Sequence, residues 1–184
     1  MRQRLSNFVF LLAVFLLPFQ TQWILSEQLI NGGVSQYGKL SIYVVEILFV
    51  IALLFRGRLR FVSGSEKIVK HLYFIFAVGF FSLTLSQYFN VALFQLGHIL
   101  IAGIVFMLLL DERLQIKNVM YAFVLGLLVP IVLGWIQFFS GSSPASTLLG
   151  LAQKQVETLG VAVVETMTSR SLRAYGTFPH PNIF

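Results

Sequence analysis

Apolar runs of near-membrane length, recurring along the chain, constrain this sequence more than any other feature. A helix needs about 20 apolar residues to cross a hydrocarbon core of about 30 Å. Five stretches come near that length, at about 5–25, 40–55, 72–88, 91–110 and 119–139. Only 11% of residues are charged, where soluble chains carry roughly a quarter. The pattern predicts an all-α fold, a polytopic membrane bundle of five transmembrane helices. It also predicts an irregular extracytoplasmic segment at the C-terminus, over 140–184.

The first run follows Met1-Arg2-Gln3-Arg4, a basic start that suits either a signal peptide or an uncleaved span. No small-x-small cleavage site follows, and the run continues through Pro18, Phe19 and Trp23, which favours the span. A polar connector over 26–39 holds Asn31-Gly32-Gly33 and Tyr37-Gly38, residues of turn chemistry. The third and fourth runs are separated by Phe89-Asn90 and a few polar neighbours, which predicts a tight helical hairpin. Pro130 lies inside the fifth run, where neighbouring helices or water can re-satisfy the freed backbone. Trp23, Tyr73, Tyr88, Tyr121 and Trp135 read as interface anchors. Beyond 140, residues 146–153 suit a short helix with Ser146 near its N-cap, and 161–164 suit an extended strand.

Basic residues set the expected orientation. With a cytoplasmic N-terminus, Arg2, Arg4, Arg56, Arg58, Arg60, Lys67, Lys70, Arg113 and Lys117 fall inside. Only Lys39, Lys154, Arg170 and Arg173 fall outside. In a soluble protein a formal charge of +6 would point to nucleic acid. Here the asymmetry of the charge carries the meaning, and no nucleic-acid partner is expected.

Several chemistries are excluded by what the sequence lacks. It has no cysteine, hence no disulfide and no thiolate metal site. It has no Gly-rich phosphate loop, no Asp-x-Asp pair and no His-Glu-x-x-His. His71, His98 and His180 fall in different segments, so neither a metal nor another cofactor is expected.

The remaining chemistry concentrates at the C-terminus. Arg170 and Arg173 stand three apart in a segment with Gly176, Pro179, His180, Pro181 and Asn182. A guanidinium matches phosphate oxygens with a planar fork and stays charged in any environment. Glycine and proline suit an irregular backbone that approaches a ligand closely. The competing reading has both arginines snorkelling to lipid headgroups. Glu46, inside the second run, is a candidate intramembrane polar site, suited to pairing with an outer arginine, to accepting a proton, or to a purely structural carboxyl role. His98, beside Gln95 and Gly97, reads as an interhelical hydrogen-bonder.

The run Arg170-Ser-Leu-Arg-Ala-Tyr-Gly-Thr-Phe-Pro-His-Pro-Asn182 resembles the signature of the O-antigen ligase/polymerase family, bacterial polytopic glycosyltransferases. Leu17-Pro18-Phe19-Gln20-Thr21-Gln22 and Tyr37-Gly38-Lys39-Leu40-Ser41 also resemble it, although only the last fifteen residues are specific. The resemblance implies transfer of a glycan from undecaprenyl pyrophosphate to an acceptor hydroxyl at the outer face of the bacterial inner membrane. That transfer uses neither metal nor nucleotide. It gives Arg173 the role of holding the pyrophosphate and stabilising leaving-group charge, with Arg170 as a second candidate. Gly176, His180, Pro181 and Asn182 would shape the loop. Members have ten or more spans, so the chain reads as an N-terminal portion, inactive alone, with general base and acceptor site expected beyond Phe184. A transporter or lipid flippase portion, with Glu46 and His98 lining a pathway, is the alternative. A non-catalytic membrane scaffold is a third reading.

Overall fold

The computed structural model describes residues 1–184 apart from 20, 31, 148, 159–160, 166–169 and 179–184. In chain order the described elements are α1 (Arg2–Leu16), β1 (Gln22–Ile30), β2 (Gly33–Tyr43), α2 (Val44–Arg56), α3 (Glu66–Leu83), α4 (Phe89–Leu109) and α5 (Ile116–Ser140). Four short strands follow: β3 (Ser142–Ser143), β4 (Lys154–Gln155), β5 (Val163–Glu165) and β6 (Arg170–Leu172). The strands form three two-stranded sheets, β1–β2, β3–β4 and β5–β6.

This architecture overturns the expectation of a five-span, all-α bundle. Among the described residues only α4 and α5 are long and apolar enough to cross a membrane. The first apolar run stops being helical at Leu16, just before Pro18, whose ring cannot continue the ladder. Its remainder joins β1, and a Gly32 at φ 78° sits at the turn into β2. β2 then takes Leu40–Tyr43 from the second run, leaving α2 only 13 residues. At 1.5 Å per residue such a helix reaches about 20 Å, short of the ~30 Å core. α3 has 18 residues, but Glu66, Lys67, Lys70 and His71 occupy its first two turns. The expected hairpin between the third and fourth runs is present as α3 and α4, joined by the short link 84–88. Among the described residues of 146–153 the expected helix does not form. Ser146 and Leu151 instead form an isolated antiparallel bridge, though Ser146 Oγ does accept from Leu149 N–H at 3.3 Å, as a cap would. The strand expected over 161–164 is present in part as β5.

The chain divides into two compact units, one of 1–13 with 23–118 and one of 14–22 with 119–184. In the first unit Phe10 packs on Phe49, with ring centroids 5.4 Å apart. Ala13 and Ala52 are fully buried, and Ser6 Oγ donates to the Ala52 carbonyl at 2.7 Å. α3 and α4 pack closely enough that a Cβ at Gly79 would press on Leu96, and one at Gly103 on the Phe76 ring. At the far end of α2, buried Arg56 pairs with Asp111 (Nε to Oδ2, 3.3 Å) and donates to Asn7 Oδ1. Arg113 also donates to Asp111, from Nε at 2.9 Å and from its backbone N–H at 3.0 Å. Burial alone would push the Asp111 carboxyl up. The hydrogen bonds from Arg113 and from the Arg60 N–H, with the Arg56 charge, outweigh it and hold the carboxyl well below the usual range.

In the second unit Gly126, Pro130, Gly134 and Gln137 form a buried stripe of mainly small residues on α5. A Cβ at Gly126 would strike the Phe15 backbone, so only glycine permits that approach. Much of the rest of α5, including Val124, Leu128, Ile131, Trp135 and Phe139, is apolar and exposed. A surface of this kind suits lipid or protein rather than water.

Candidate functional site

The arginine segment is built on the second unit. β5 and β6 pair antiparallel, with Glu165 opposite Arg170 and Val163 opposite Leu172. Leu172 is fully buried and anchors the ribbon. Past it, the Arg173 N–H donates to the Ala162 carbonyl at 3.2 Å. The side chains of the two arginines are treated differently. Arg170 Nε contacts Glu165 Oε1 at 3.0 Å, an ion pair at the surface. Arg173 is exposed, and among the described residues its guanidinium has no hydrogen-bond or ion-pair partner.

The backbone just after Arg173 is held from below by one side chain, Gln137 of α5. Its Oε1 accepts from the Tyr175 N–H at 2.9 Å and the Gly176 N–H at 2.8 Å. Its Nε2 donates to the Gly176 carbonyl at 2.9 Å and to Ser143 Oγ at 3.0 Å. An amide offers two donors and two acceptor sites, so this buried side chain is fully satisfied. Gly176 sits at φ 58°, a left-handed conformation that glycine adopts without strain. Thr177 Oγ1 donates to the Pro18 carbonyl at 2.5 Å, and the Ala162 N–H donates to the Tyr175 hydroxyl at 2.7 Å. The result is a rigid platform from Tyr175 to Thr177 with Arg173 at its edge.

Two further groups flank the platform. Lys154 Nζ lies 3.3 Å from the centroid of the Tyr175 ring, a cation–π contact, and burial pushes its amine down from the ordinary lysine value. A recess of about 230 Å³ is lined by Gly134, Trp135 and Phe138 of α5 together with Ala174, the residue after Arg173. The residue that follows the Arg173 cation thus lines an apolar recess on the same structural unit.

Of the expected site residues, Arg170, Arg173 and Gly176 lie on this one ribbon and platform. His180, Pro181 and Asn182 lie outside the described residues. Glu46 belongs to the other unit. Its Oε2 accepts from the Tyr43 N–H at 3.0 Å, and its Oε1 lies 2.5 Å from His98 Nδ1. Its partner is therefore a histidine of α4, and His98 bonds between helices as its sequence context suggested. Among the described residues, no three His, Cys, Asp or Glu gather to hold a metal. Sequence reasoning passed over Gln137, Asp111 and Lys154. A lone amide at the end of an apolar helix, followed directly by a Ser-rich loop, was the available signal for Gln137.

Comparison of the chain with protein-family models, curated proteins and solved structures gives no match.

Proposed function

We propose that the second unit binds a polyprenyl pyrophosphate carrying a glycan, as the donor site of a metal-independent glycan transfer at the outer face of a bacterial cytoplasmic membrane. The observation that carries this reading is Arg173, an exposed cation on a pinned backbone whose next residue, Ala174, lines an apolar recess. A polyprenyl pyrophosphate has matching parts, a diphosphate for the guanidinium fork and an apolar chain for Trp135 and Phe138. In such a transfer Arg173 would neutralise charge growing on the departing pyrophosphate, and a fixed donor does so without reorganising. The acceptor in this reading is a glycan or glycolipid hydroxyl.

The orientation belongs to the same proposal. Arg56, Arg58, Arg60, Asp111 and Arg113 gather at one end of the first unit, where Arg113 Nη2 donates to the Arg58 carbonyl at 2.8 Å. This basic end adjoins the α4–α5 connector and suits the cytoplasmic side, which in this reading leaves the segment after α5 outside. A transporter or flippase draws instead on the polar pair Glu46–His98, and it leaves Arg173 without a role.

Binding to farnesyl pyrophosphate in lipid nanodiscs tests the proposal. Arg173→Ala is expected to weaken binding at least about tenfold, in line with a charge-assisted pair, and Arg173→Lys to weaken it less. Equal affinity of the wild type and Arg173→Ala would overturn it. So would equal affinity for farnesyl pyrophosphate and inorganic pyrophosphate, since the recess would then contribute nothing.

A further inference from the structure

A second cavity lies wholly within the first unit and plays no part in the proposal above. It measures about 440 Å³, inside the ~300–1,000 Å³ range of small-molecule sites. Its walls are apolar side chains of β2, α2 and α4, among them Ile42, Ile47, Val50, Leu93 and Ile101. Ser41, Glu46 and His98 supply its polar groups, and no lysine or arginine lines it.

The Glu46–His98 pair fixes what the cavity presents. Glu46 Oε1 engages His98 Nδ1, and a carboxylate there can only accept a hydrogen bond. Tyr43 N–H occupies the other carboxylate oxygen. The Tyr43 ring meets the imidazole edge-on, with centroids 5.8 Å apart, and limits its rotation. With Nδ1 engaged by Glu46, Nε2 is the ring's remaining polar atom, and among the described residues it has no partner. The His98 side chain keeps 26% of its surface exposed. A carboxylate–imidazole pair, with no lysine or arginine among the described wall residues, disfavours an anionic head and suits a hydroxyl.

We propose that this cavity is a binding site for an apolar chain ending in a hydroxyl, with the hydroxyl hydrogen-bonded to His98 Nε2 and the chain lying between α2 and α4. Glu46 is the positioning residue, because it holds Nδ1 and leaves Nε2 for the hydroxyl. Gly97 gives the space. It lines the cavity, and a Cβ built there meets nothing within 4 Å. The site does not depend on Arg173 or on the transfer reaction.

Photolabelling of the intact protein in nanodiscs with a diazirine-bearing tetradecanol, followed by peptide mapping, tests this. The matching diazirine tetradecane, which lacks the hydroxyl, is the control. The alcohol is expected to label α2 and α4 cavity residues at least about fivefold more than the alkane, the value of one ordinary hydrogen bond. His98→Phe should bring the alcohol down to the alkane level. Gly97→Leu should abolish cavity labelling by both probes while raising helix propensity, so loss of fold is not a confounding outcome. Arg173→Ala should change nothing. Equal labelling by alcohol and alkane in the wild type would overturn the proposal, as would undiminished labelling in Gly97→Leu.

Discussion

Gln137 and Gly176, 39 residues apart, exchange two hydrogen bonds: the Gly176 N–H donates to Gln137 Oε1, and Gln137 Nε2 donates to the Gly176 carbonyl. The side chain thereby stands in for a neighbouring backbone strand. Replacing it by a residue of similar size without polar atoms strands buried groups at Tyr175, Gly176 and Ser143. Each such group costs about 1–3 kcal/mol when nothing replaces the bond. Gln137→Leu is therefore expected to destabilise the second unit by about 3 kcal/mol or more, and to expose the segment after α5 to protease. Gln137→Glu keeps both accepted bonds and should fall between Leu and wild type. Denaturant midpoints and digestion rates of the three proteins give the ranking directly.

Asp111 makes stability depend on pH in a defined direction. Its folded-state pKa lies below the unfolded value of 3.8, so its stabilisation is complete above that pH. It fades as pH falls below 3.8. Removing one partner of a buried pair costs about 3–5 kcal/mol. Asp111→Asn should therefore trail the wild type by about 3 kcal/mol at pH 7, and the gap should shrink below pH 4. Urea titrations at pH 7 and pH 3 compare the two.

Two buried glycines should respond unequally to an added methyl group. At Gly126 the new Cβ meets the Phe15 backbone, whereas at Gly103 it meets the Phe76 ring. Backbone cannot rotate away as a ring can, and overpacking costs about 1–3 kcal/mol. Gly126→Ala is expected near or above the top of that range and Gly103→Ala near the bottom, read as thermal midpoints.

The Arg170–Glu165 pair withholds one cation from the proposed pyrophosphate site. Both side chains are about half exposed or more, so the pair itself adds little stability. Glu165→Gln should leave the melting point unchanged and tighten farnesyl pyrophosphate binding about threefold, a gain of well under 1 kcal/mol. Adding Arg170→Ala to that variant should cancel the gain.

The two longest helices were legible because their apolar runs, Phe89–Leu109 and Val119–Phe139, are uninterrupted by charge. The β1–β2 hairpin was misread for a physical reason. Trp23, Ile24, Leu25, Leu29 and Ile30 raise hydropathy as much in a strand as in a helix, and hydropathy carries no information on period. The Asn31-Gly32-Gly33 turn chemistry was read inside a polar connector over 26–39, and the outer ends of both strands, 22–25 and 40–43, were assigned to spans. The arginine segment announced its chemistry in residue types. Its support did not, because Gln137 acts across 39 residues and a single sequence shows nothing of such pairing. Glu46 was singled out as an expensive polar residue, while its partner followed only from the packing of α2 and α4.

The bond from Thr177 to the Pro18 carbonyl joins residues 159 positions apart. During synthesis the Pro18 carbonyl, which opens early in the chain, must wait for its donor while the whole of the first unit is made. At roughly 5–20 residues per second that interval is about 8–30 s. The first unit can settle in that time, whereas the platform under Arg173 can only lock once Thr177 has left the ribosome. The arginine site thus matures after the first unit, and a nascent chain stalled before Thr177 would carry Arg173 on an unlocked loop.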